Sequence, residues 1–216
     1  MKKIFIILFS FITISLSAQV PYFGATVGEG KVFGYSSLKF RPGQNAMEDY
    51  TTLQFGITDY FSVGTDIYAN HDTVDHGLYA RVGKTWSKWF SAGTQATYQF
   101  NLRDNYKFSN VNMGIFLNGN ILESGRLFWT SNTWLTFYQD GNHAYKQWWY
   151  LGSNIKFDDN NSLVPMVGLI HSWRFDQPVD WAIGAYYIYK KYSFYIWGND
   201  FLKDYPRVTV AVDFTF

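Results

Sequence analysis

The sequence predicts an all-β fold, a transmembrane antiparallel up-and-down β-barrel of about twelve strands. Apolar and polar residues alternate with a period of two along most of the chain, as in strands whose two faces meet different surroundings. Aromatic residues make up 21% of the chain and charged residues only 16%. No run after residue 14 approaches the ~18 apolar residues that a transmembrane helix needs. This composition is typical of strands that alternate between lipid and a polar lumen.

The N-terminal residues have the pattern of a secretory signal peptide. Two lysines precede an apolar run at 4–14, and mostly small residues follow at 15–18. We therefore expect residues 1–18 to be removed and residues 19–216 to form one barrel domain. The chain contains no cysteine, so neither a lipid anchor on cysteine nor a disulfide framework is expected.

Period-2 stretches that end at turn-forming residues define the strands in order. We predict strands at 31–40, 48–58, 63–70, 78–86, 90–101, 108–121, 127–138, 147–157, 163–173, 181–189, 192–198 and 207–216. The interruptions include RPGQN at 41–45, ESG at 123–125 and DDNN at 158–161. The fifth strand is the clearest, because an apolar face that starts at Phe90 alternates with a polar face that starts at Ser91.

Two stretches leave their facing undecided. Both sides are apolar in 163–170 and in 182–189, so the alternation cannot say which side meets lipid.

The C-terminal stretch RVTVAVDFTF closes the pattern. One face carries Val208, Val210, Val212, Phe214 and Phe216, and the other face is mostly polar. A strand that is apolar outside, polar inside and ends in Phe resembles the closing strand of bacterial outer-membrane β-barrel proteins, the small channel-like barrels of that membrane. The resemblance implies a Gram-negative outer membrane, contact with its lipid, and Phe216 as part of the signal that the barrel assembly machinery reads.

The predicted connections alternate between longer loops and mostly tighter turns. The longer ones are 41–47, 71–76, 102–106, 139–145, 174–180 and 199–204, and the tighter ones are 59–61, 87–88, 122–125, 158–161 and 190–191. With both termini in the periplasm and an even number of strands, all longer loops emerge on the outside, which is the asymmetry of such barrels.

Two charged residues are predicted to face the lumen on neighbouring strands. If the hairpin between them is centred near Thr73 and Val74, Asp66 stands opposite Arg81. The two form either a structural ion pair in a narrow polar interior or part of a constriction that selects solutes by charge. Other inward charges of both signs predict a mixed lumen without a strong ion preference.

Four aromatic residues are predicted to point inward on the seventh and eighth strands: Trp134, Tyr138, Trp148 and Tyr150. Aromatic faces in a pore can stack against sugars or other flat ligands. They can also simply fill the interior of a small barrel. The sequence leaves both roles open.

Two further patterns suggest chemistry but favour a simpler interpretation. Residues 71–76, HDTVDH, are symmetric, and pairing about their centre would set His71 opposite His76 as metal ligands. We interpret them as a solvated loop and predict no metal or other cofactor. His171 and Ser172 are adjacent in a strand, so they point to opposite faces and cannot act as base and nucleophile.

The predicted function is a passive or weakly selective channel for small solutes in the cell outer membrane, and no enzymatic activity is expected. The net charge of +1 offers no footprint for nucleic acid. Two alternatives stay open: a non-conducting barrel with a structural or surface-interaction role, and an outer-membrane lipid-modifying enzyme.

Overall fold

The computed structural model describes residues 25–44, 46–172 and 179–216. The predicted signal peptide, residues 1–18, lies outside the described residues. Within these ranges the chain forms thirteen β-strands and one short 3-10 helix. No helix in the described part of the chain is long and apolar enough to cross a membrane. The elements are β1 (Val32–Phe40), β2 (Met47–Thr58), β3 (Phe61–Ala69), β4 (Val74–Ser87), β5 (Phe90–Asn101), the 3-10 helix (Leu102–Asp104), β6 (Lys107–Asn120), β7 (Leu127–Tyr138), β8 (His143–Ser153), β9 (Ile155–Lys156), β10 (Asn161–Ser172), β11 (Asp180–Tyr189), β12 (Tyr192–Asn199) and β13 (Arg207–Thr215).

The sheet closes on itself. Neighbouring strands pair antiparallel around the whole wall, and β13 returns to pair with β1. At this seam the backbones of Val32 and Phe216 exchange two hydrogen bonds of 2.8 and 2.9 Å. Strands β8 and β9 are two parts of one wall strand, interrupted at Asn154, so the wall contains twelve strands. The predicted closed barrel is confirmed, and closure leaves no unpaired edge in lipid.

The wall has an apolar outer face and a largely polar inner face. Strand β5 has the predicted bounds, and along it Gln95 and Thr97 are buried whereas Ala96 and Tyr98 are exposed. Large apolar residues exposed on the outside include Leu53, Phe55, Leu78, Ile115, Leu151, Leu169, Ile183, Phe194 and Val210. Lipid tails would cover this surface in a bilayer, as the alternation predicted.

The facing of β10 and β11, which the sequence left undecided, is resolved. In β10, Val164 and Met166 are buried inside the barrel, whereas Val167 and Leu169 are exposed outside. In β11 the inward face includes the buried Tyr186. Both faces of these strands are apolar because the inner one belongs to an apolar cluster within the lumen.

The two ends of the barrel differ. The connections after β1, β3, β5, β7 and β12 meet at one end, termed the loop end, where β10 also ends and β11 begins. The other connections meet at the opposite end, termed the turn end, where β1 begins and β13 ends. Three turn-end connections contain two residues each, at 59–60, 88–89 and 190–191, whereas 121–126 is as long as 41–46 at the loop end. The predicted difference in length between the two ends therefore holds only in part.

The hairpin of β3 and β4 turns earlier than predicted. Ala69 pairs with Val74, so the turn consists of residues between them. Asn70 fixes it, because its side-chain oxygen accepts hydrogen bonds from the backbone N–H groups of Asp72 and Thr73, at 2.8 Å each. Such an Asx turn outweighs the symmetry of the surrounding sequence.

This turn corrects the predicted pairing of Asp66 with Arg81. Both residues point into the barrel and are buried, but Asp66 stands opposite Gly77 and Arg81 stands opposite Ser62. Arg81 lies four positions beyond Gly77, which is about 13 Å along the strand. The two charges therefore belong to separate parts of the lumen.

Candidate functional site: the lumen

A polar cavity of about 580 Å³ opens inside the barrel toward the loop end. We term it the vestibule. Its lining combines cations, carboxylates and aromatic rings: Lys39, Lys146, Lys203, Arg207, Asp66, Asp180, Asp200, Tyr50, Tyr68, Trp134, Tyr138 and Trp148. Pockets of this size hold small ligands.

At the rim of the vestibule, the carboxylate of Asp200 forms ion pairs with three basic residues. Arg41 donates to its carboxylate at 2.5 Å, Lys203 lies at 3.5 Å and Arg207 at 3.8 Å, while Arg207 also pairs with Glu48 at 3.4 Å. Burial acts to raise the pKa of Asp200, but the Arg41 hydrogen bond and the neighbouring positive charges outweigh burial and lower this pKa. The stability that Asp200 contributes is therefore present above its unfolded-state pKa and is lost as the pH falls through the lower folded pKa.

Asp66 ends a chain of hydrogen bonds along the vestibule wall. Its carboxylate accepts from the hydroxyl of Tyr50 at 3.3 Å and from the amide of Gln99 at 3.4 Å. Asn112 donates to Gln99 at 3.0 Å, and Thr136 donates to Asn112 at 2.5 Å. Neutral donors therefore hold Asp66, and the polar groups of this chain satisfy one another.

The four predicted inward aromatic residues divide into two groups. Trp134, Tyr138 and Trp148 line the vestibule, where a ligand could reach their rings. Tyr150 also faces inward but is only 6% exposed and belongs to the apolar cluster deeper in the lumen. Tyr150 is thus positioned to fill space, and ligand stacking stays a prediction for the other three.

The apolar cluster fills the lumen along β8 to β12. It consists of Tyr150, Val164, Met166, Ile170, Ala182 and Tyr186, with Phe128, Trp148, Ile188, Tyr195 and Trp197 packed against it. Tyr150 on β8 meets Trp197 on β12 edge-on, with 4.8 Å between ring centroids. Gly168 lies under the first ring and Gly184 under the second, where a Cβ would collide with either ring. This packing narrows the lumen below the vestibule.

Residues 25–31, which directly precede β1, enter the lumen at the turn end. We call residues 25–31 the N-terminal segment. Ala25 is 6% exposed and packs against Gly83 and Gly93, which pair with each other on β4 and β5 and face inward. A Cβ on Gly83 would lie 2.5 Å from the carbonyl oxygen of Ala25. The bare backbone of this glycine pair therefore makes room for the segment.

Arg81 holds the buried end of the N-terminal segment. Its Nε donates to the carbonyl oxygen of Ala25 at 2.9 Å, and its guanidinium carbon lies 4.0 Å from the centroid of the Phe116 ring. Closer to β1, the hydroxyl of Thr26 donates to the carbonyl oxygen of Asp59 at 2.6 Å. Arg81 thus links the barrel wall to a segment far from it in sequence.

Because Asp66 and Arg81 lie in separate clusters, we expect the effects of Asp66→Asn and Arg81→Gln on stability to be additive. Each single change should lower the free energy of unfolding, since each removes buried hydrogen bonds. The double variant should equal the sum within about 0.5 kcal/mol. Urea unfolding of the four proteins in lipid vesicles measures this. A coupling free energy well above about 0.5 kcal/mol would indicate that Asp66 and Arg81 interact directly, against the register.

Sequence reasoning missed Lys146 and the pair of Gly83 and Gly93. Lys146 has the same parity as Trp148, so the rule that placed Trp148 inward could also have found this lysine. The glycines are inward by parity too, but their pairing depends on the register of β4 and β5. Nothing in the sequence indicates that Ala25 covers them.

The symmetric HDTVDH stretch does not bring its histidines together. His71 lies in the turn with its Nδ1 2.9 Å from the Asp72 carboxylate, whereas His76 lies on β4 with its Nε2 2.7 Å from the hydroxyl of Thr65. The shorter turn set by Asn70 is again the reason. Among the described residues, no group of three His, Cys, Asp or Glu side chains could hold a metal ion.

His171 and Ser172 follow the strand geometry that the sequence predicted. Ser172 lines the vestibule. His171 points to the opposite face of β10, and its ring packs edge-on against Tyr145 at 6.4 Å between centroids. The two side chains cannot share one reaction centre.

Comparisons with known proteins identify the fold. No protein-family model matches the chain, and no curated protein matches it significantly. Among solved structures, the KdgM porin is similar with a TM-score of 0.60 and 11% identity, over 85% of this chain and 99% of that chain. The NanC porin gives 0.58 and 9%, over 84% and 98%. The COG4313 outer membrane channel from Pseudomonas putida F1 gives 0.58 and 9%, over 94% and 100%. The chain has the fold of outer-membrane porins and channels.

Proposed function

We propose that this protein is an integral outer-membrane channel that passes small solutes passively or with weak selectivity. The vestibule carries the proposal, because a polar cavity of about 580 Å³ lies inside a closed barrel whose outer face is apolar. Charged side chains that face such a cavity suit the passage of polar solutes. The porin-like fold supports the same location and role.

The conducting path is narrow. Below the vestibule the apolar cluster occupies one side of the lumen, and the N-terminal segment occupies the wall of β4 and β5 at the turn end. Small solutes and ions therefore suit this lumen better than large ones. A low unit conductance is expected, compared with wide water-filled barrels of 16 to about 18 strands.

Recording from purified protein in planar lipid bilayers tests the channel. We expect discrete current steps of uniform size that scale with salt concentration. Protein that has been boiled before addition serves as the control, because it retains the detergent but not the fold. Absence of current from folded protein, both for the wild type and for a variant whose N-terminal segment is displaced, would overturn the channel in favour of a structural barrel.

We infer further that His171 and Ser172 do not form the reaction centre of a lipid-modifying enzyme. Ser172 and His171 lie on opposite faces of β10, so the nucleophile and base of a lipid hydrolase cannot form there. Vesicles that contain labelled phospholipid or lipid A, incubated with the folded protein, should release no labelled fatty acid. Release above the level of the boiled protein would contradict this inference.

We also propose Phe216 as the residue through which the barrel assembly machinery recognises the chain. Its side chain is 50% exposed on the outer face and packs edge-on against Tyr192 at 5.9 Å between centroids. We expect Phe216→Ser to lower the fraction of folded protein in the outer membrane, measured by heat-modifiable migration on a gel. Val212→Ser, an outward change on the same strand, is the matched control. Equal folded fractions for both variants would refute the special role of Phe216.

A further inference from the structure

Two lysines of the vestibule carry positive charge without a carboxylate partner. Lys39 lies at the loop end of β1. Lys146 lies near the start of β8, on the opposite side of the barrel, and also at the loop end. Both side chains line the same cavity. Among the described residues, neither ammonium group lies within ion-pair distance of a carboxylate.

Aromatic rings support these two ammonium groups instead. The Nζ of Lys39 lies 5.8 Å from the ring centroid of Tyr50, and the Nζ of Lys146 lies 5.1 Å from that of Trp148. A ring stabilises a cation through its quadrupole but does not neutralise it. Neither ring therefore supplies the negative counter-charge that an ion pair would provide.

Two nearby carboxylates already have basic partners. Glu48 is the cross-strand neighbour of Lys39, but its carboxylate pairs with Arg207. Asp200 is held by Arg41 and by other basic residues of the rim. The charged neighbours of Lys146 are three cations and the single carboxylate of Asp200. The cavity lining as a whole carries four basic residues, Lys39, Lys146, Lys203 and Arg207, against the three carboxylates of Asp66, Asp180 and Asp200. The positive excess is therefore local to the two lysines.

Flat surfaces lie beside the unpaired charge. Trp134 is the cross-strand neighbour of Lys146, and Trp148 is two residues further along the same face of β8. Both rings line the cavity, together with Tyr138 at the rim. Aromatic side chains of this kind stack against planar rings and against the apolar faces of sugars.

We propose that the vestibule is a binding site for small organic anions, whose carboxylate is held by Lys39 and Lys146 and whose flat body stacks on Trp134 and Trp148. The proposal rests on the proposed function in one respect only, since it names the class of solute that the channel would select. Binding itself does not require conduction. Such a site would favour anions at the loop end, whereas the sequence predicts a mixed lumen without a strong ion preference.

The test measures binding to the purified full barrel in detergent micelles by isothermal titration calorimetry. Benzoate is compared with benzamide, which has the same shape without the charge, and glucuronate is compared with glucose. We expect each anion to bind at least about tenfold more tightly than its neutral counterpart, because a hydrogen bond to a charged group raises affinity by about that factor or more. The two anions distinguish two classes of ligand. If only benzoate binds, the ligands are aromatic carboxylates; if only glucuronate binds, they are sugar acids.

Substitutions then assign the charge. Lys39→Met and Lys146→Met should each weaken anion binding severalfold, and Lys146→Arg should retain it. Lys156→Met is the matched control, because Lys156 is exposed at the turn end and should have no effect. Equal affinity for benzoate and benzamide together with equal affinity for glucuronate and glucose, or unchanged binding in both methionine variants, would overturn the site.

Planar-bilayer recordings of the same proteins separate this proposal from the channel. Anion binding without any current would refute the channel but support the site. Current without anion binding would support the channel and refute the site. In a conducting barrel, both methionine variants should also shift the reversal potential in a salt gradient toward cation preference.

Discussion

Replacing Gly83 with valine is expected to raise the single-channel conductance several-fold in planar bilayers. A Cβ at this position would lie 2.5 Å from the carbonyl oxygen of Ala25 and 2.8 Å from its Cα, both of them backbone atoms. Backbone cannot rotate away as a side chain can, so the N-terminal segment has to leave the wall. Its departure removes an obstruction from the turn end of the lumen and leaves the hydrogen-bonded wall of β4 and β5 in place.

Ala80→Val provides the matched control for this prediction. Ala80 lies on the same strand but is exposed on the outer face, so the larger side chain meets lipid and the conductance should stay at the wild-type value. Heat-modifiable migration verifies that both variants fold, and limited proteolysis near residue 25 reports whether the segment has moved. A segment that becomes accessible to protease while the conductance remains unchanged would show that it does not obstruct the path.

An arginine at Ile115 is expected to destabilise the barrel by about 2 to 4 kcal/mol, the cost of this side chain at the bilayer midplane. Ile115 lies in the middle of β6, is 48% exposed, and points away from the lumen between Thr94 and Thr133 on the neighbouring strands. Urea unfolding in vesicles of saturated phospholipid measures the change in the free energy of unfolding.

The control for this second prediction is Ala144→Arg. Ala144 lines the vestibule, where the new guanidinium group would reach water rather than hydrocarbon. Its cost should therefore be small compared with that at Ile115. Similar losses at the two positions would contradict the assignment of the outer and inner faces.

The sequence by itself determined the number and order of the wall strands and, outside β10 and β11, their facing. Strands β5 and β7 have the predicted bounds, and Gln95 and Thr97 face inward as the alternation required. The reason is that each strand of a membrane barrel faces lipid on one side and the lumen on the other. Apolar and polar residues therefore alternate along the strand with a period of two. Inward positions such as Asp66 and Trp148 follow from parity alone.

The tertiary structure decided which inward residues meet. The register of a hairpin depends on single turn residues. Asn70 caps a turn that the symmetric HDTVDH sequence did not predict, and the resulting register places Asp66 opposite Gly77 rather than opposite Arg81. The facing of β10 followed from a cluster with Trp197 on β12, and the partner of Arg81 proved to be the carbonyl of Ala25. These contacts join residues far apart in sequence across a closed lumen, and local patterns cannot encode them because only closure of the sheet brings the opposite walls within reach.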